Sequence, residues 1–257
     1  MKAIWNGAIG FGLVNIPIKM YSATENSTLD LDMLDKDDQS NIHYKRVNEK
    51  TGKEVPWENI VKGYKMNDEY IVLEDEDFEA ASPEKSKMLS IEQFVKEEEI
   101  ESVYFETPYF LEPQKNGENA YALLFKALKK TGMVGVGTFV MRTKENLCVI
   151  KPYKDIIILN KIRFPEDIRS YGDLKIPKKN VKDGELKMAI ALIEQTSEKF
   201  KPEQYIDTYK EDLLKIIEQK SKGKKPKISS PEKKSDKTID LMAQLKASLE
   251  KSKKKVS

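Results

Sequence analysis

One amphipathic segment followed closely by three short apolar segments most constrains what this chain can fold into. Residues 116–131 predict a helix, with Asn116 as a possible cap and Gly132 as its C-terminal stop. The side chains that recur at helical spacing are Ala120, Tyr121, Leu123, Leu124, Ala127 and Leu128. Three predicted strands follow across turn-sized gaps, at residues 133–142, 146–151 and 155–162. Several strands crossed by one helix indicate a β-barrel or a curved sheet, and not a doubly wound α/β fold.

The chain before and after this region completes an α+β pattern. Residues 3–21 are strand-like, and shorter strands are predicted at residues 69–73, 87–95 and 103–111. Asp75 can cap a helical turn that runs to Ala81. Past Pro165 the apolar spacing becomes helical, in residues 185–200 and 202–220. Residues 221–235 are rich in Lys, Pro, Ser and Gly, which is typical of a flexible linker.

Residues 44–64 are the densest cationic segment in the body of the chain. Their relevant cations are Lys45, Arg46, Lys50, Lys53 and Lys62. Residues 50–53 predict a tight turn, because Gly52 takes a positive φ without steric cost. Residues 42–47 predict a strand before that turn, with Tyr44 on one face and Lys45 on the other.

A short helical turn is predicted after this hairpin. Pro56 suits its first position, Trp57, Ile60 and Val61 would share one apolar side, and Gly63 would end it. The pattern fits a surface that presents cations to phosphate groups, and it also fits a solvated basic hairpin. The residues alone leave both interpretations open.

The charge of the chain is divided between an acidic body and a basic tail. Residues 220–257 hold 13 lysines and 4 acidic residues, which leaves 32 basic and 39 acidic side chains in residues 1–219. A basic tail on an acidic body suggests a polyanionic partner. The tail cations taken as candidate contacts are Lys222, Lys224, Lys225, Lys227, Lys253, Lys254 and Lys255. A small apolar stripe, which would either dock on a partner or stay mobile, consists of Ile239, Met242, Leu245 and Leu249.

Catalytic chemistry is hard to assemble from these residues. The sequence has one histidine, His43, and none of the common zinc-protease, serine-hydrolase or P-loop motifs. The single cysteine, Cys148, is flanked by apolar residues and is predicted to be buried, and Glu97 to Glu99 are predicted to form a solvated turn. We therefore expect a non-catalytic protein without cofactor or metal. The lack of a long apolar run indicates a soluble, cytoplasmic protein and no membrane partner.

Several long motifs in order resemble the bacterial Ku family, which binds DNA ends in non-homologous end joining. They are MKAIWNGAIGFGLVNIPIKMYSAT, KRVNEKTGKEVPWENIVKGY, YFLEP, AYALLFKAL and, in the tail, DLMAQLKASLEKSKKK. The resemblance implies a β-barrel core, a homodimer that forms a ring around a duplex end, and recruitment of an ATP-dependent DNA ligase. Some relatives carry a C-x-x-C pair where this chain has Asn48 and Thr51, so no zinc site is expected here.

The resemblance also implies how the chain is divided and which residues meet DNA. The core would span residues 1–165 with a bridging arm at about 25–65, followed by a helical arm at 166–220 and a tail at 221–257. We expect Lys45, Arg46, Lys50, Lys53 and Lys62 of the bridging arm to lie near the DNA backbone, with Lys19, Lys65 and Arg142 as further candidates. The alternatives are a general nucleic-acid-coating protein that binds mainly through its tail, and a DNA-processing enzyme.

Overall fold

The computed structural model describes residues 1–25, 28–81, 87–142, 144–177 and 180–224. The chain divides into two units, Met1–Tyr171 and Gly172–Ser257. The predictions for Lys225, Lys227, Lys253, Lys254 and Lys255, and for Ile239, Met242, Leu245 and Leu249, lie outside the described residues.

The described part of the first unit contains nine strands and two α-helices. In chain order they are β1 (Trp5–Phe11), β2 (Val14–Ser22), β3 (Lys62–Met66), β4 (Glu69–Leu73), α1 (Asp75–Ala81), β5 (Met88–Lys96), β6 (Phe105–Pro113), α2 (Glu118–Thr131), β7 (Met133–Met141), β8 (Lys144–Tyr153) and β9 (Ile156–Ile162). Seven of the strands form a closed barrel in the order β1-β2-β6-β9-β8-β7-β5, while β3 and β4 pair only with each other. The predicted α+β fold with a β-barrel core is confirmed.

The barrel closes through a parallel pair between β1 and β5. Ala8 lies opposite Met88 and Ile9 opposite Leu89, whereas every other neighbouring pair in the barrel is antiparallel. A parallel pair needs a long connection, and here β2 and a long insertion lie between the two strands. That insertion carries six of the eight candidate cations that precede the tail.

Strand alternation fills the barrel interior. In β2 the side chains of Ile16, Ile18 and Met20 are fully buried, while the intervening Lys19 is exposed. This is the period of two expected for a strand with one face in a core. Fully burying an aliphatic side chain of this size stabilises the fold by about 1.5–3 kcal/mol, so the inward faces of the seven strands supply most of the stability.

Helix α2 packs its inner face against this core. Tyr121, Leu124 and Leu128 are buried in the same cluster as the barrel residues. The helix ends as predicted, with Gly132 at φ 67°, but it begins at Glu118 after Gly117 and not at Asn116. The placement of Leu123 on the buried face was wrong, because its side chain is 70% exposed. A face with three buried positions is narrower than the predicted stripe.

Tyr121 joins α2 to two strands of the barrel. Its hydroxyl donates to the Leu111 carbonyl at 2.7 Å and accepts from the Ile157 N–H at 2.7 Å, and both bonds are buried. Tyr121→Phe should lower the free energy of unfolding by about 1–3 kcal/mol, because it leaves a buried N–H without its partner. Urea unfolding measures this. Tyr21→Phe is the control, since its hydroxyl bonds the exposed Glu112 carboxylate; equal losses in the two variants would contradict the prediction.

The described part of the second unit contains two α-helices. Helix α3 spans Asp183–Thr196 and helix α4 spans Thr208–Ser221. The helix predicted over residues 202–220 starts at Pro202 but is not continuous. Pro202–Gln204 is a short 3-10 helix, and α4 begins later, where the Asp207 side chain accepts from the Lys210 N–H at 3.2 Å. Within residues 172–177 and 180–224 no side chain is buried, so these helices do not enclose a core of their own.

No described helix is both long enough and apolar enough to cross a membrane.

Candidate nucleic-acid interface

The predicted cationic segment lies in the insertion between β2 and β5, here called the arm (residues 28–81). None of its side chains is buried. It contains a loop closed by an isolated bridge between Leu34 and Asn41, a second loop closed by a bridge between Val47 and Glu54, and then β3, β4 and α1. The acidic residues 28–40, which precede the cations, therefore form an exposed loop.

The second loop is a tight turn held by hydrogen bonds. The Asn48 N–H donates to the Lys53 carbonyl at 2.8 Å, and the Asn48 side-chain oxygen accepts from the N–H groups of Lys50 and Thr51, both at 3.0 Å. Gly52 has φ 64°, so the predicted turn and the reason for its glycine are confirmed. Asn48 fixes the turn at the position where a cysteine of the C-x-x-C pair would stand.

The predicted strand before this turn was wrong. Residues 42–46 form no strand, and only Val47 takes part in a bridge. One physical reason lies across the turn, where Pro56 has no N–H to extend the ladder. No face of the segment is buried either, so packing does not hold it in a sheet. His43, predicted as a strand residue, accordingly lies in an exposed loop.

Side chains on either side of the turn alternate between two faces. The Val47–Glu54 bridge sets this alternation, since opposite residues in an antiparallel pair share a face. On the face of that pair the Lys45 ammonium meets the Glu54 carboxylate at 2.7 Å. The hydrogen bond to Glu54, with its negative charge, raises the pKa of Lys45. Lys45 thus keeps its positive charge, but the carboxylate of Glu54 compensates part of that charge within the arm.

The opposite face carries Arg46 and Trp57. The Arg46 guanidinium carbon lies 4.7 Å from the centre of the Trp57 ring, which confirms that the two share this face. The hydrogen bonds on either side of the bridge place Lys53 there as well, and the exposed Tyr44 lies two residues before Arg46. Within the described residues, no carboxylate forms an ion pair with Arg46 or Lys53. We call Tyr44, Arg46, Lys53 and Trp57 the aromatic–cationic face.

The helical turn predicted after this loop is only partly present. Trp57–Asn59 is a 3-10 helix of 3 residues, and Pro56 precedes it. Ile60 and Val61 lie beyond it and are exposed, and Gly63 falls inside β3 instead of ending a helix. The predicted apolar side of this turn is therefore wrong: Trp57 is 73% exposed and contacts the Arg46 guanidinium instead of packing on a core. The sequence analysis assigned Trp57 no role in binding. The available signal was the short distance in sequence between this aromatic residue and the cations of the turn.

The β3–β4 hairpin holds the next two predicted cations on opposite faces. Its register pairs Lys62 with Leu73 and Lys65 with Tyr70. The Lys62 ammonium lies 4.3 Å from the centre of the Phe78 ring on α1. Lys65 forms an ion pair with Asp68 at 3.0 Å. Both lysines are exposed, but both already have partners within the arm.

The remaining described candidates lie on other elements. Lys19 points outward from β2, and Arg142 lies in the turn between β7 and β8 with φ 53°. Lys222 follows α4 and pairs with Glu218 at 2.6 Å, and Lys224 is exposed just beyond it. The structure thus groups Lys45, Arg46, Lys50 and Lys53 around one turn.

Reactive groups elsewhere in the described chain are in structural positions. Cys148 is fully buried in β8, as predicted, and burial raises the pKa of its thiol, so it stays protonated at neutral pH. Glu97–Glu99 form an exposed 3-10 helix, and Glu97 pairs with Lys151. Across the described ranges, no cluster of three or more His, Cys, Asp or Glu side chains is arranged to hold a metal ion.

Comparison with known proteins adds an independent result. A family model described as "Ku70/Ku80 beta-barrel domain" matches residues 10–188. A protein named "Non-homologous end joining protein Ku" from Cupriavidus necator is 39% identical, over 96% of this chain and 77% of the relative. Proteins of the same name from Bacillus subtilis (38% identical; 99% of this chain, 83% of the relative) and Archaeoglobus fulgidus (39%; 97% and 99%) are similar. These matches confirm the resemblance indicated by the sequence motifs.

Proposed function

This chain belongs to the Ku family, and on that premise we propose that it binds the ends of double-stranded DNA in non-homologous end joining. Binding would be independent of sequence, as repair of arbitrary breaks requires, and would come from contacts to phosphate groups. The protein acts as a scaffold and not as an enzyme. The observation that carries this proposal is the exposed set of cations around the turn at residues 48–53, in an acidic chain body.

The arm supplies two kinds of cation for this role. Arg46 and Lys53 project without a carboxylate partner in the described residues, so they can pair with phosphates at no cost of breaking an ion pair. Lys45 and Lys65 would first have to leave Glu54 and Asp68. Exposed ion pairs contribute only about 0–1 kcal/mol, so those lysines remain usable but secondary contacts.

We place the homodimer contact at the β3–β4 hairpin. A two-stranded sheet is marginally stable by itself in water, and this hairpin exposes apolar side chains on both faces. Tyr64, Met66 and Ile71 share one face, as the pairs Tyr64–Ile71 and Met66–Glu69 require. A second copy covering that face would bury these side chains and join two arms into a ring. The ring would explain preference for ends, because a closed ring can load only where a duplex stops.

Ile71→Asp should disrupt the dimer. Placing a carboxylate in a buried apolar contact costs several kcal/mol, so the dimer dissociation constant should rise roughly a hundredfold or more. Light scattering after size-exclusion chromatography measures the mass of the full chain. Val72→Asp, on the other face of the same strand, is the matched control and should remain dimeric. If both variants kept the native mass, the hairpin would not be the dimer contact.

The tail is proposed to recruit an ATP-dependent DNA ligase. Its sequence offers an apolar stripe (Ile239, Met242, Leu245 and Leu249) that is too small to form a core. The lysines around the stripe add a second region of positive charge. These could reinforce DNA binding after the ring has loaded.

A comparison of linear and covalently closed circular duplex tests the proposed function. The full chain should bind linear duplex and leave closed circles free at moderate salt, because threading needs an end. Gel shift or filter binding on the two forms of one plasmid measures this. Equal affinity for both forms would overturn end binding and favour the alternative, a general coating protein that binds through its basic tail.

A further inference from the structure

We propose that the aromatic–cationic face of the arm binds unpaired nucleotides, so that it grips the single-stranded extension of a broken end. This rests on the proposed function, which requires DNA ends but assigns no site for their unpaired bases. The ligand class is single-stranded nucleic acid, held by stacking and by phosphate contacts. The residues are Tyr44, Arg46, Lys53 and Trp57.

The exposure of Trp57 is the first observation. Its side chain is 73% exposed, although an indole is large and gains free energy from burial. The other tryptophan, Trp5, is half-buried in the barrel and donates its ring N–H to the Val140 carbonyl at 2.9 Å. Trp5 therefore has a structural position, whereas the ring of Trp57 lies open at the surface of the arm.

Arg46 prepares the indole for stacking. Its guanidinium lies over one face of the Trp57 ring, 4.7 Å from the centre, and restricts the orientation of the indole. A base that stacked on the other face would complete a layer of guanidinium, indole and base. Fixing the ring in advance lowers the ordering cost that a mobile aromatic side chain would meet on binding.

Tyr44 and Lys53 extend the same surface. Tyr44 is 82% exposed, and its hydroxyl contacts the Met33 sulfur at 3.2 Å, which limits the movement of its ring. Lys53 ends the turn, and Arg46 lies two residues after Tyr44 and over the Trp57 ring. Exposed aromatic rings beside cations that have no ion pair are the arrangement that single-stranded sites use, because bases stack while cations follow the backbone.

Duplex DNA does not account for the aromatic part of this face. In a duplex the bases are already stacked, so an exposed indole meets sugar and phosphate edges and gains little. Lysine and arginine alone would suffice for backbone contacts. Unpaired bases, in contrast, offer open π faces, and stacking on aromatic side chains tolerates any sequence. Tolerance of sequence is what an end-joining protein needs at a frayed or resected end.

Two DNA ligands test the proposal with the full chain. One is a blunt duplex, and the other is the same duplex with an oligothymidylate extension at each end. The native protein should bind the extended duplex about five- to hundredfold more tightly. Trp57→Ala should remove this preference, while Trp57→Phe should keep most of it. Raising the salt should weaken binding to both duplexes but retain much of the preference, because phosphate contacts release counterions and stacking does not.

Tryptophan emission gives a second readout of the same contact. The chain has 2 tryptophans, so in Trp57→Ala all emission comes from Trp5. Oligothymidylate should quench the native protein and leave Trp57→Ala nearly unchanged. The proposal is overturned if the native protein binds both duplexes equally, or if Trp57→Ala keeps the preference for the extension.

The two proposals fail in distinguishable ways. If the native protein bound neither duplex, the proposed end-binding function would be wrong. In that case, quenching by free oligothymidylate that is lost in Trp57→Ala would still support the stacking surface. Absence of that quenching would overturn the stacking surface as well.

Discussion

The double substitution Arg46→Ala/Lys53→Ala is expected to weaken binding to linear duplex DNA by roughly 10²- to 10³-fold near physiological salt. Each phosphate contact releases counterions and adds about 0.9 to the slope of log affinity against log salt concentration. A homodimer would lose two cations from each protomer, so the slope should fall by about 3 to 4. The loss should be equal for all sequences, because phosphates carry no sequence information. Titrations at several salt concentrations measure both quantities.

Lys45→Ala/Lys65→Ala is the matched control. It removes the same net charge from the same arm, but from lysines that are paired with Glu54 and Asp68. A small change in slope is expected, because these cations contribute less to phosphate binding. Equal effects of the two double substitutions would mean that only the net charge of the arm matters. The assignment of Arg46 and Lys53 as the principal contacts would then be wrong.

Gly137→Ala is expected to destabilise the barrel by about 3 kcal/mol or more. A Cβ at this position in β7 would lie 1.9 Å from the Ser90 carbonyl oxygen and 2.9 Å from the Ile91 Cα on β5. Both atoms belong to the backbone, so no side chain can move aside. The register of β5 and β7 shifts between Ile91 and Gln93, next to this approach. For a unit of this size the melting temperature should fall by roughly 6–12 °C.

Gly63→Ala controls for the loss of a strand glycine as such. Its Cβ would meet the Tyr70 ring at 3.4 Å, an ordinary van der Waals distance. Its stability should stay within about 0.5 kcal/mol of the native protein. Calorimetry or urea unfolding compares the three proteins. If Gly137→Ala unfolded at the same temperature as Gly63→Ala, the close approach of β5 and β7 would not limit stability.

Local sequence patterns determined most elements of the barrel. β7, β8 and β9 are short apolar segments separated by turn residues, and α2 has a helical period and a terminal glycine. Such signals depend on neighbouring residues alone, which is why these elements fall near their predicted bounds. Leu123 shows where prediction from local spacing fails. Its spacing fits the apolar stripe, but the width of the buried face is set by what the barrel presents to the helix, and it lies outside that face.

Within the candidate site, too, local sequence determined some features of the arm and tertiary packing determined others. The turn at Gly52 follows from its residues, because a positive φ and an Asx-type hydrogen bond are local requirements. The strand before it and the helical turn after it depended on packing that is absent, so neither formed as predicted. The cations were all identified from composition, but their partners were not. Glu54 lies nine positions from Lys45, and only the folded turn brings their side chains to 2.7 Å.

By itself, therefore, the sequence determined the family, the strand-rich core, the main helix and the cationic segment. Each of these follows from the order and spacing of residues within one stretch of chain. Only the tertiary structure decided the closure of the barrel through β1 and β5, the exposure of Trp57, and the separation of Arg46 and Lys53 from the paired lysines. These depend on contacts between residues distant in sequence or on opposite sides of a turn, and the free energies of such contacts arise only when the chain is folded.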